Sequence, residues 1–117
     1  MSEDHRAPGR TTVSREVLSS IARMATLSVP GVKSVALVGT GVDRLIRRPL
    51  YDGVRVSIRD NLIHADIFLV VKDGFNIREV GRDVQHQVAR AIQEMVGMDI
   101  ARIDIHVEDI DYEGAEA

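Results

Sequence analysis

Residues 53–97 run GVRVSIRDNLIHADIFLVVKDGFNIREVGRDVQHQVARAIQEMVG. Val54, Val56 and Ile58 alternate with Arg55, Ser57 and Arg59, and Ile63, Ala65, Ile67, Leu69 and Val71 repeat with the same period. Successive side chains on a strand point to opposite faces, so both runs predict strands with one apolar side. Asp60-Asn61 between them suits a tight hairpin turn, because these side chains tolerate the left-handed backbone that such turns require. Past Asp73-Gly74 the period lengthens. Ile77, Val80, Val84, Val88, Ala91, Ile92 and Met95 trace one stripe at helical spacing. Asn76 is a suitable N-cap with Glu79 in the capping-box position, and Gly97 suits the position just past the helix end. A hairpin therefore feeds a helix, and no catalytic residue set interrupts the alternation.

Upstream, Ser14 is a good N-cap, Glu16 sits where the helix dipole favours an anion, and Val17, Leu18, Ile21, Met24, Ala25 and Ser28 trace a helix face. Pro30-Gly31 ends that helix. Thr11 to Val13 could add a short edge strand. Val32 to Val38 predicts a strand, followed by an irregular stretch at 39–52, GTGVDRLIRRPLYD. At the far end, Ile100 to Ile110 predicts a last strand, with Ile103, Ile105 and Val107 inward and Arg102, Asp104, His106 and Glu108 outward. The order is helix, strand, strand, strand, helix, strand. The final strand–helix–strand unit needs a right-handed crossover and makes its two strands parallel. The fold class is α+β, a two-layer sandwich with both helices on one face of a mixed sheet. Residues 1–12 are expected to form a disordered tail, 13–110 a single domain and 111–117 an acidic C-terminal tail.

Composition narrows the chemistry. The chain has 117 residues, with no Cys, no Trp, two Phe and two Tyr. Thiolate catalysis, disulfides and Cys-based metal centres are excluded. Val and Ile packing carries the core, and few rings are left on which to stack bases. A net charge of −3 argues against bulk nucleic-acid binding. The N-terminal MSEDHRAPGRTT lacks an apolar core, and the longest uninterrupted apolar run is Ile67 to Val71, so neither a secretory signal nor direct membrane insertion is expected. The expected location is cytoplasmic.

Four features are candidates for function. Gly39-Thr40-Gly41 resembles the start of a phosphate loop, but VDRLIRRP follows it without the Lys-Ser/Thr and helix start that such a loop needs. His64, Asp66, Asp104 and His106 lie in pairs on outward strand faces and could converge for metal or acid–base work, though alternating charge normally marks a solvated face. Arg44, Arg47, Arg48, Arg55 and Arg59 form a basic set near the 39–52 segment and the second strand. Phe68 and Val70 are apolar on the face where His64 and Asp66 are polar, so one end of that face is expected to be covered, by this chain or another. These last seven residues are the candidate partner-binding set. No catalytic, cofactor-binding or metal-binding residues are assigned, and no cofactor is expected.

Three pieces carry a family resemblance: VSREVLSSIARMATLSVPGVKSV, YDGVRV through HQVARAIQEMVG, and IARIDIHVEDI. In order and spacing they resemble the shorter members of the alkaline shock protein family of bacterial envelope stress-response proteins, over residues 11–110. The resemblance implies a non-enzymatic scaffold or adaptor that self-associates as a homo-oligomer. It also implies an integral membrane protein partner that holds the chain at the inner face of the cell membrane, and a link to cell-envelope or fatty-acid homeostasis. No catalytic residues come with it. The arginine-rich RLIRRP and the acidic C-terminus depart from the family pattern. The alternatives are a KH-like nucleic-acid-binding module, for which no GxxG is present, and a metal-dependent enzyme built on the two His–Asp pairs.

Overall fold

The structure, a computed structural model, describes residues 8–36 and 53–112. In chain order it comprises α1 (Arg15–Leu27), β1 (Val32–Val35), β2 (Val54–Arg59), β3 (Leu62–Lys72), α2 (Ile77–Val96) and β4 (Asp99–Asp111). The predicted order and the α+β sandwich are both found. Thr11 to Val13 do not join the sheet and lie outside any regular element. The 39–52 stretch and the last residues of the expected first strand fall outside the described residues.

β3 is the hub of the sheet. β4 runs parallel along one of its edges, from Leu62↔Asp99 to Lys72↔Asp111. The other edge is shared by two antiparallel strands placed end to end. β2 takes Leu62 to Ile67 and β1 takes Leu69 to Val71. They meet at Phe68, whose carbonyl accepts from Ala36 N–H and whose N–H donates to the Gly53 carbonyl, both at 2.8 Å. Gly53 is required at this junction. Its φ is +92°, and a Cβ there would lie 2.3 Å from the Cβ of Val35.

The hairpin turn is as expected: Asp60 and Asn61 adopt φ of 53° and 67°, the left-handed pair of a type I′ turn. Ser14 caps α1 by accepting from the Val17 amide, and Asn76 caps α2 by accepting from the Glu79 amide. Gly97 closes α2 in the left-handed region with φ 78°.

Both helices pack on one sheet face. Ile63, Ala65, Ile67, Leu69 and Val71 of β3 are all buried there, against Leu18, Ile21 and Ala22 of α1 and Val80, Val84, Val88 and Ile92 of α2. The predicted stripe of α1 needs correction. Val17 and Met24 face solvent, while Ala22 and Thr26 are buried. Small side chains let α1 lie close to the sheet, and Thr26 is tolerated because its hydroxyl donates to the Ala22 carbonyl at 2.7 Å. The ends of the other stripes are also exposed: Ile58, Ile77 and Met95 lie where their elements run past the core.

Candidate interaction surface

The second face of the sheet carries the outward residues of β2, β3 and β4. Among the described residues, no helix or strand packs on it. Its side chains are set by the register. Asp66 of β3 pairs with Arg55 on one side and Asp104 on the other, and Phe68 pairs with His106. These neighbours make a connected cluster. His106 Nε2 lies 3.0 Å from Asp66 Oδ1. An Arg55 guanidinium nitrogen lies 3.7 Å from the other Asp66 oxygen. The Phe68 and His106 rings stack with centroids 4.5 Å apart and planes 16° from parallel. Asp104 is paired in turn with Arg102 at 3.3 Å. All these groups are partly exposed, so each ion pair contributes at most about 1 kcal/mol.

Phe68 and Val70 are half-buried on this face, at the end predicted to be apolar. The structure brings the two His–Asp pairs to neighbouring strands, but they do not converge on one point. His64 sits opposite Arg102 in the register. Its Nδ1 is buried and meets no hydrogen-bond partner among the described residues. Asp66 is engaged by His106 and Arg55. Among the described residues, no group of three or more His, Asp or Glu side chains is arranged to hold a metal ion. Arg59 is exposed at the hairpin end of β2. Arg44, Arg47 and Arg48 lie outside the described residues.

The edge of β4 has its own features. The pairing skips from Ile100 to Arg102 and from Val107 to Asp109, two bulges on this one strand. Gln85 of α2 donates to the Ile103 carbonyl at 3.0 Å. Bulges and capping contacts of this kind blunt a strand edge against further pairing.

One feature escaped the sequence analysis. A groove of about 430 Å³ runs between the exposed sides of the two helices, with Ile21, Met24, Ala25, Ala91 and Met95 lining it and Arg90 and Glu94 on its rim. Met24 and Met95 look like core residues by periodicity, yet both are exposed, at the margin of the stripes that face the sheet. Among the described residues, no helix is long and apolar enough to cross a membrane.

Comparison with known proteins places the fold and the lineage. The MamM CTD superposes with a TM-score of 0.59 at 18% identity, covering 85% of this chain and all of that one. A manganese form of a MamM CTD variant gives 0.56 at 17% identity, covering 82% and 99%. At that identity the likeness concerns the fold alone. Among sequences, the chain is 30% identical to the uncharacterized protein YqhY of Bacillus subtilis (strain 168), over 90% of this chain and 79% of that protein. It is 26% identical to YloU of the same organism, over 87% and 88%. The profile of the alkaline shock protein 23 family, described as having cell envelope-related function, matches residues 3–112. With nearly its whole length so matched, the chain belongs to the alkaline shock protein 23 family.

Proposed function

We propose that this chain is a non-enzymatic scaffold or adaptor of the cell envelope that self-associates and docks on protein partners through the open face of its sheet. The observation that carries this is the Phe68–His106 stack, with Val70 beside it, on a face that no described helix or strand covers. An aromatic platform ringed by Arg55, Asp66 and Asp104 has the anatomy of an interface centre: an apolar anchor inside a polar rim. The sheet edges are the weaker route. β4 is bulged twice and tied to α2 by Gln85.

The same cluster argues for recognition over turnover. Asp66 and His106 are engaged with each other, and Asp66 with Arg55 as well. A chemical step would need groups convergent on a substrate in a sheltered cleft, and the groups of this cluster are instead paired with one another along the sheet. Family membership supports a place at the envelope. Attachment through an integral membrane protein and a role in the stress response or fatty-acid homeostasis are part of the same proposal.

A photo-crosslinking amino acid tests the choice of face. Placed at position 70 it should give intermolecular products in cells, and placed at Gln87 on the helix side it should give none. Products from 87 alone, or from neither position, would refute docking through the sheet.

A further inference from the structure

We propose that the open sheet face is a two-fold interface between two copies of this chain, with β2 of each copy over β4 of the other and Arg55 opposite the partner copy's Asp104. This rests on the reading of that face as the docking surface and names its occupant.

The argument is one of charge complementarity. Arg55, Asp66 and Asp104 are register partners, so they form one row across β2, β3 and β4. The row is positive at the β2 end and negative at the centre and the β4 end. Two identical sheets can meet face to face about a two-fold axis lying across the strands or along them. An axis across the strands at this row sets Arg55 over Arg55 and Asp104 over Asp104. An axis along β3 exchanges the ends of the row, so each Arg55 meets an Asp104 twice per dimer. Like charges in direct opposition are strongly disfavoured at interfaces, so the second arrangement is selected.

The contacts described above do not stand in the way. Asp104 holds Arg102 in an exposed pair, which is cheap to rearrange. A guanidinium has five N–H donors and can serve several acceptors, so Arg55 can reach the partner copy's Asp104 without giving up its contacts within the chain. Asp66 lies near the axis and meets its own copy, but each is bracketed by His106 and Arg55. Phe68, also near the axis, stacks against the partner copy's aromatic pair.

Size sets the strength. β2, β3 and β4, of 6, 11 and 13 residues and spaced about 4.8 Å apart, present at most roughly 450 Å² per copy, or roughly 900 Å² for both. That falls short of the 1,200 Å² or so of a standard stable interface. The dimer is therefore concentration-dependent and weakened by salt.

Sedimentation velocity over a concentration series, with folding checked by circular dichroism, tests the arrangement. Arg55→Asp and Asp104→Arg should each raise the dimer dissociation constant about tenfold or more. An equimolar mixture of the two variants should restore association to within about threefold of the unmodified chain, because in the mixed dimer both contacts become opposite-charge pairs again. The double variant Arg55→Asp/Asp104→Arg should do the same alone, which keeps the test decisive if one single variant folds poorly. Loss of association by Phe68→Asp with no rescue by the mixture or the double variant overturns the two-fold arrangement and leaves the docking face standing. A dimer indifferent to Phe68→Asp overturns both. A chain that stays monomeric at every concentration, with Phe68→Asp lowering its melting temperature, shows the face covered from within and also overturns the proposal.

Discussion

The two sides of β3 make unequal use of the same strand. On one, five alternate residues from Ile63 to Val71 disappear beneath two helices. On the other, His64, Asp66, Phe68 and Val70 stay partly exposed and bind mostly sideways, to β2 and β4. Stability resides on the covered side, where apolar area leaves water at about 25 cal/mol per Å². Among the described residues no helix or strand covers the other side, so its side chains remove less apolar area from water. Neighbouring residues one position apart thus sit in different physical surroundings.

The largest test of this contrast is to truncate both neighbours. Leu69 is fully buried in the central strand, and Leu69→Ala should cost about 3–4 kcal/mol in urea unfolding. Phe68→Ala at dilute protein should cost less than half of that. Equal losses would mean that the open side is as much a core as the covered one. A smaller effect is expected at His106. Removing its bond to Asp66 and its stack on Phe68 by His106→Ala should lower stability by about 1 kcal/mol. A loss of 3 kcal/mol or so, on the scale of a core deletion, would make the cluster a structural element rather than a docking platform. The smallest change should run the other way. Gly81 stands mid-helix in α2, where an added Cβ would lie 3.7 Å from a methyl carbon of Ile105, an ordinary contact. Gly81→Ala should raise stability by about 0.5–1 kcal/mol by helix propensity. A decrease would show that the helix cannot tolerate even this contact with β4.

The fold was largely legible because its signals are local. The alternation in β3 fixes which side is covered, Asp60-Asn61 fixes the hairpin, and Asn76, Glu79 and Gly97 fix the limits of α2. The α1 stripe misled because apolarity and burial diverge when a helix lies close to a sheet. Ala22 and Thr26 fit beneath it, while Val17 and Met24 are turned to solvent. The open face was legible as a set of outward residues, including Phe68 and Val70, but not as a cluster. The contact between Asp66 and His106 spans forty residues and depends on the register of a parallel pair, which no short pattern in either strand encodes. The first bulge in β4, between Ile100 and Arg102, shifts that register further.

The shared edge of β3 puts two joints on one residue. Ala36 donates to the Phe68 carbonyl and the Phe68 N–H donates to the Gly53 carbonyl, so the main chain of a single residue holds β1 and β2 end to end. A proline at this position would remove the N–H and with it the bond to Gly53. Changes of side chain at position 68 leave that joint intact, whereas a change of backbone loosens the seam between two short strands.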